Sequence, residues 1–429
     1  MTISMFFLAL CFAVTLAIGV PVVWSLALSS MVACLSIPGI SLSFLAQKME
    51  LGSEKYALLA IFFFLLAGSI MQHGGIAKRL IVFAKSITSF IRGGMSIVAI
   101  ITCMFFAALS GSSVATTAAI GTIFYPELVK DGYKKGYAAT LPVVGGTLGI
   151  VIPPSIVFVV YGTTTNTSVA RLLMSGVLPG ILGGLAMCLY AYFYALWHKM
   201  PKGDPFRFNA FLDATKDAIW ALMMPIIVLG GIYAGIFTPT ESAAIACIYG
   251  LFVSCGIYRE LKLKRLIQIA IESVKSTANV MLIIMAATLF SYVLTRNNIP
   301  VMLSNAITSA ITTKTEFLLA LNVLLLILGM VMDAGPIILI IAPIVYPVAL
   351  KFGIDPVHLG CIIVFNLSVG QATPPFGLCL FAAQPVTGQS IATLSRNAMP
   401  FVIILYLTVL ATSFIPEIAL AIPHLMMAR

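Results

Sequence analysis

The segment Tyr125 to Pro154 recurs at Tyr346 to Pro375, displaced by a constant 221 residues. Tyr125-Pro126 returns as Tyr346-Pro347, Gly132 as Gly353, Thr147 as Ser368, Gly149 as Gly370, and Pro153-Pro154 as Pro374-Pro375. In each copy the Pro-Pro pair lies inside an apolar run, and a small polar break lies about 14 residues upstream of the Tyr-Pro pair. Proline removes a backbone donor and clashes with the preceding turn. Two such breaks at one spacing therefore describe a duplicated, interrupted helix. In a membrane protein, paired interruptions point to a transporter's substrate and ion site.

The chain suits a membrane. Of its 429 residues 61% are hydrophobic and 9% charged, against a charged fraction of about a quarter in soluble domains. Apolar stretches of about 20 residues recur from end to end, each long enough to cross a bilayer. The expected fold class is all-α and polytopic. The first lysine is Lys48, so the N-terminus lacks the basic region of a cleavable signal and reads as a first crossing. The net charge of +10 does not signal nucleic acid, because the positive residues sit in short loops and follow the positive-inside rule. The eight cysteines are scattered without a CxxC, and the four histidines form no HExxH. The cysteines read as packing residues. No catalytic residues, metalloenzyme motif or nucleophilic triad emerge, so an enzyme is not expected.

Basic clusters set the topology. They are Lys78, Arg79, Lys85 and Arg92; Lys130, Lys134 and Lys135; Lys199, Lys202, Arg207 and Lys216; and Arg259, Lys262, Lys264, Arg265 and Lys275. All four are expected on the cytoplasmic side. Residues 93–125 lie between the first two and break at Ser110-Gly111-Ser112-Ser113. Both ends should then lie on one side. Two full crossings need about 40 residues plus a turn, and only about 33 are available. A re-entrant hairpin with its tip inside the membrane is expected, the tip lining a protein-enclosed cavity. A second hairpin is expected over 316–350, broken at Met332-Asp333-Ala334-Gly335-Pro336, with Asp333 at the place of Ser112.

Crossings are expected near 2–19, 22–37, 56–75, 137–161 and 171–197, then near 217–235, 239–257, 276–296, 357–383 and 399–422. Amphipathic connectors near 78–92 and 298–313 precede the hairpins and should lie along the interfaces. Residues 1–197 form one half and 217–429 the other, joined by a cytoplasmic linker over 198–216. Five crossings and one hairpin per half invert the second copy relative to the first, an architecture of secondary transporters.

The broken helices carry oxygen chemistry. Gly145 to Pro154 frees several carbonyls at mid-membrane depth, and Asn366, Ser368, Gln371, Thr373 and Pro374-Pro375 repeat the device. Carbonyls and hydroxyls suit a hard cation such as Na⁺. Half-helix N-termini suit an anionic substrate group. Asp333 lies deep in the apolar chain, where a charge costs about 2.5–3.5 kcal/mol on insertion scales and is a functional hypothesis by default. Glu241 reads either as a functional carboxylate or as part of an N-terminal cap with Thr238 or Thr240. Arg296 reads as an interfacial anchor or, alternatively, a substrate contact.

Taken together, Ser110-Gly111-Ser112-Ser113-Val114-Ala115-Thr116, Gly146 to Pro154, Gly235 to Glu241, Met332-Asp333-Ala334 and Gly370 to Gly377 resemble the large membrane subunit of tripartite ATP-independent periplasmic (TRAP) transporters, the DctM-like family. The likeness covers essentially the whole chain. It implies an ion-transporter-superfamily fold with a scaffold and a mobile elevator domain, in the bacterial inner membrane. It implies Na⁺ as coupling ion, a small four-helix membrane partner, and a periplasmic binding protein that delivers an anionic substrate. Carried over, the first Na⁺ site uses Ser110, Ser112, Gly149, Ile152 and Pro154. The repeat sends these to Asp333, Gly370, Thr373 and Pro375 for the second site, while Ser110 falls on Val331. Substrate-contact candidates are Ser113, Thr116, Ser155, Asn166, Asn366 and Gln384. Dicarboxylates, sialic acid and sugar acids are all compatible. A stand-alone Na⁺/carboxylate symporter of the same superfamily is the alternative. A proton-translocating respiratory subunit would need embedded Lys, Glu and His that the chain lacks, and an intramembrane hydrolase would need a histidine base beside a tip serine.

Overall fold

A computed structural model describes residues 3–88, 90–200 and 207–427. Among these residues the chain is helical, with no strand. Lys202 and residues 201–206 of the expected linker lie outside the described residues. Among the described residues eight helices are long and apolar enough to cross a membrane.

The chain opens with α1 (Ile3–Ala17), α2 (Val22–Leu35), α3 (Leu42–Ser53), α4 (Leu59–His73) and the amphipathic α5 (Ile76–Thr88). Next come α6 (Gly94–Ser110), α7 (Ser113–Lys130), α8 (Lys135–Thr147), α9 (Ile156–Thr165), α10 (Val169–Ser175) and α11 (Val177–Trp197). The second half runs through α12 (Phe208–Tyr233), α13 (Pro239–Leu251), α14 (Leu263–Arg296) and α15 (Ile299–Ala310). It closes with α16 (Lys314–Val331), α17 (Ala334–Lys351), α18 (Pro356–Gly370), α19 (Leu378–Thr387), α20 (Ile391–Phe414) and α21 (Pro416–Met427).

Helix starts follow local chemistry. Thr238 caps α13 while Glu241 returns a bond of 2.8 Å to the Thr238 amide. Glu241 is thus half of a capping box, and the capping alternative for this residue is the one realised. Thr313 and Glu316 repeat the device on α16.

Several boundaries differ from the hydropathy reading, and for one reason. Apolar runs mark the lipid-facing part of a helix and miss its polar end. α12 starts at Phe208 rather than near 217, and α14 at Leu263 rather than near 276. Lys264, Arg265 and Lys275 therefore sit on a helix, not in a loop. The last crossing is α20, starting at Ile391 under a Ser390 cap, rather than near 399. It ends before Pro416, and α21 follows as a separate helix. α3, capped by Ser41, has no counterpart among the expected crossings. The first helical pair spans 94–130 rather than 93–125, its arms being 17 and 18 residues long. At 1.5 Å per residue each arm is about 26 Å, close to the hydrocarbon thickness of about 30 Å. Arm length by itself therefore does not hold the tip inside the membrane.

The element order recurs at the sequence offset. α7 and α17 are both 18 residues long and start at Ser113 and Ala334, the positions that the repeat pairs. Two packing groups emerge. In one, α14 lies against α2, α3 and α4, while α12 and α13 pack on α5 and α4. In the other, α6 and α7 hold α8, and α16 and α17 hold α18. The half-helices cross over: α9 packs on α17, and α19 packs on α7 and α8. Each hairpin thus touches the outgoing half-helix of the other copy.

Candidate functional site: two helix-pair tips on two broken helices

α6 ends because Gly111 adopts a left-handed conformation (φ +62°), which glycine reaches without steric cost. Ser112 is extended and caps α7 by accepting from the Ala115 amide at 3.4 Å. The tip is tied to itself. Thr116 donates to the Ser112 carbonyl at 2.8 Å and lies 2.8 Å from Ser110 Oγ. With its one proton so used, Thr116 is the acceptor of the Ser110 hydroxyl.

This tip rests on the break in α8. The helix tightens into a 3-10 turn over Leu148–Ile150 and reopens at α9. Four residues beyond Gly149 and Ile150 stand Pro153 and Pro154, which have no N–H to close a helical bond. Ser155 Oγ donates to the Ile150 carbonyl at 2.6 Å and caps α9 through the Phe158 amide. Ser113 Oγ reaches the Thr147 carbonyl at 3.3 Å. The approach is close: a Cβ added at Gly149 would lie 2.5 Å from the Ser112 carbonyl oxygen, and one at Gly111 would lie 2.8 Å from the Pro154 carbonyl oxygen. Ser112, Gly149 and Pro154 therefore meet, and Ser110 joins them through its bond to Thr116. Ile152 belongs to the same turn, its amide bonded to the Leu148 carbonyl and its side chain against Gly180. α8 spans about 20 Å from the Lys134-Lys135 turn to the break, and α9 adds about 15 Å, so the break lies within the thickness of a bilayer.

The second tip is built differently. Met332 and Asp333 are extended. Asp333 Oδ1 accepts from the Ala334 amide at 2.8 Å, capping α17, and from Gln371 Nε2 at 3.0 Å. Asp333 itself is exposed. Gly370 is pressed onto Gly329 of α16, where a Cβ would lie 2.6 Å from the Gly329 Cα. Thr373 is buried, its amide on the Gly370 carbonyl (2.9 Å) and its hydroxyl on that of Val369 (2.8 Å). Both Pro-Pro peptide bonds are cis. The two breaks differ in access. Val151 to Ser155 are all buried, whereas Pro375 is exposed and Phe376 is 55% exposed. Val331, at the place of Ser110, is exposed as well.

The substrate candidates divide. Ser113, Thr116 and Ser155 lie at the first tip and break, each already bonded to backbone or to a neighbour. Asn366 is buried one turn before the second break and donates to Asn322 Oδ1, which also accepts from Ser413 at 3.1 Å. Asn166 is placed elsewhere: it ends α9, exposed, and accepts from Lys55 at 3.3 Å. Gln384 is exposed near the far end of α19.

Two features go beyond the sequence reading, which named Asn366 and Gln371 as part of the second break but not their partners. One is the Asn322–Asn366–Ser413 cluster, signalled only by a lone amide inside the apolar run of α16. The other is the Gln371 side chain. A carboxylate only accepts, so Nε2 must face Asp333. That leaves Oε1 buried without a partner, at an ordinary cost of about 1–3 kcal/mol.

A family profile described as "Tripartite ATP-independent periplasmic transporter, DctM component" matches residues 9–418. The C4-dicarboxylate TRAP transporter large permease protein DctM of Pseudomonas aeruginosa is 44% identical over 93% of this chain and 94% of its own. The isethionate TRAP transporter permease protein DctMQ of Oleidesulfovibrio alaskensis is 40% identical over 95% of this chain and 64% of its own longer one. Among solved structures, the Alcanivorax borkumensis YdaH transporter superposes with a TM-score of 0.65 at 14% identity, covering 95% of this chain and 98% of that one; this is a likeness of fold. With the profile spanning nearly the whole chain and a 44% identical relative matched over 94% of its length, the protein belongs to the tripartite ATP-independent periplasmic transporter family as its DctM component.

Proposed function

We propose that this chain is the large subunit of a Na⁺-coupled importer of a small organic acid in the bacterial inner membrane. A four-helix membrane subunit and a periplasmic binding protein complete the system, the latter delivering the substrate. The observation that carries the reading is the seating of each polar tip at a broken helix: Ser112 on Gly149, and Asp333 on Gln371.

The oxygens present suit Na⁺. The Gly149 carbonyl is released by Pro153, which has no N–H to bond it, and Gln371 Oε1 is buried without a donor. Carbonyl and hydroxyl oxygens are the ligands a hard monovalent cation takes. Ser110, Ser112, Gly149, Ile152 and Pro154 would hold one ion. Asp333, Gly370, Thr373 and Pro375 would hold the other. Two ions offset the charge of a dianionic substrate in a poorly hydrated site. Each further net positive charge carried inward gains about 2.3 kcal/mol per 100 mV of membrane potential. The P. aeruginosa relative is named for C4-dicarboxylates and the O. alaskensis relative for isethionate. Both are small anions, so a dicarboxylate, sialic acid, sugar acid or sulfonate fits this chain.

The mechanism we infer is an elevator built on an inverted repeat. The group holding both tips and both broken helices moves against the group built on α14, with the substrate between the tips. The exposed Asp333, Pro375 and Phe376 give the second tip an open side, while the first break is shut. Reconstitution in proteoliposomes with the partner subunits tests the reading. Uptake should require an inward Na⁺ gradient and fall in Ser112→Ala and in Asp333→Ala. Unaltered Na⁺ dependence in both variants sinks the site assignment. Uptake by this chain alone would favour a stand-alone symporter.

A further inference from the structure

Gln371 breaks the repeat. Its counterpart is Ile150, an apolar residue, just as the counterpart of Asp333 is the neutral Ser112. The second copy has thus gained a carboxylate and an amide together, and the two are bonded at 3.0 Å. Asp333 Oδ1 is occupied twice, by Gln371 Nε2 and by the Ala334 amide. Those two donors fix the plane of the carboxylate and leave Oδ2 to other partners. The same amide group that orients Asp333 carries Oε1, which is buried and has no partner.

We propose that Gln371 is a cation-binding residue of the second site: Nε2 orients the Asp333 carboxylate, and Oε1 supplies a neutral oxygen to the ion. This inference rests on the Na⁺ reading above and deepens it. Three observations support it together. The amide can take only one orientation, because its oxygen cannot face a carboxylate. In that orientation an acceptor is left where only a donor or a cation satisfies it. The site lies at the side chain whose charge calls for a cation. A monovalent ion held between one carboxylate oxygen and neutral oxygens brings the site to zero net charge. The first site has no carboxylate, so its ion keeps a net charge of +1. The two sites are therefore predicted to differ in affinity, the second binding more tightly.

Equilibrium binding of ²²Na⁺ to the purified full chain in detergent tests this without transport. Wild type should bind two ions, and Asp333→Ala one. In Gln371→Leu, which keeps the volume and removes both polar atoms, the tighter ion should weaken by about tenfold or more, as for other groups that orient a ligand. Its melting temperature in K⁺ should match wild type. Gln371→Glu covers the case in which the leucine variant does not fold. There a carboxylate replaces the neutral oxygen, and the affinity of the tighter ion should change by about tenfold or more. A folded Gln371→Leu protein with affinities within twofold of wild type overturns the assignment. So does a Gln371→Glu affinity within twofold of wild type. If Asp333→Ala still binds two ions, the underlying reading of the second site fails instead, and that outcome is distinct from both.

Discussion

The Ser368 hydroxyl donates to the Thr147 backbone carbonyl at 2.5 Å, and the two residues are counterparts in the repeat, 221 positions apart. The bond is available because the helix tightens there: the Val151 amide bonds to Leu148 rather than Thr147. The Thr147 carbonyl then takes hydroxyl protons from Ser113 of the first tip and Ser368 of the second broken helix. One loose carbonyl thus ties the first tip, the first break and the second broken helix at a single point.

Glycine at 149 is a steric requirement. An alanine Cβ would lie 2.5 Å from the Ser112 carbonyl oxygen and 2.7 Å from its carbon, a clash with backbone that cannot rotate away. Gly149→Ala should push the tip off the break and cost about 1–3 kcal/mol, as overpacking does. Uptake should fall by at least about tenfold, given the sensitivity of bound geometry to small displacements. Gly230→Ala is the control, since nothing lies within 4 Å of that position. Thermal unfolding and proteoliposome uptake on both variants check the contrast.

Asp333→Asn keeps the size of the side chain and an oxygen for the Ala334 amide while removing the charge. The half-saturating Na⁺ concentration for uptake should rise by about tenfold or more, with thermal stability in K⁺ retained. An unchanged Na⁺ curve would show that the carboxylate serves only as a helix cap.

Asn322 and Asn366 form a buried amide pair, with Ser413 as a third member. Removing one partner strands the other. Asn322→Leu and Asn366→Leu should each cost about 1–3 kcal/mol. The double variant should cost less than the sum, because both polar groups leave together. A double-mutant cycle of thermal unfolding measures this coupling. Strict additivity would mean that the pair is not an interacting unit.

Lys55, just before α4, bonds to the Thr163 carbonyl and to Asn166 Oδ1 at the end of α9. This contact joins the two packing groups. If the groups slide past one another, cysteines at 55 and 166 joined by a thiol cross-linker of about 10 Å, the reach of two side chains, should stop uptake. A cleavable linker should restore it on reduction. Cys255 is the exposed native thiol and would be replaced first. Full uptake by the cross-linked protein would argue against relative motion at this contact.

The sequence by itself determined the helical membrane class, the two breaks and the offset that pairs them. Those are local properties: proline has no N–H, glycine tolerates left-handed backbone, and apolar runs of bilayer length must form helices. The family resemblance grouped Ser112, Gly149 and Pro154, and the fixed register of the repeat carried that grouping to Asp333, Gly370 and Pro375. It misjudged helix ends such as Phe208, Leu263 and Ile391, since a helix continues past its apolar stretch wherever a cap and polar side chains allow. Tertiary structure alone decided what the side chains meet. It sent Asn166 to Lys55 and bonded Asn366 to Asn322. It set Gln371 against Asp333, leaving one amide oxygen without a donor. Such pairings join residues 38 to 111 positions apart, and no local propensity carries that information. They follow from which helices pack together, and that is fixed only when the whole chain is folded.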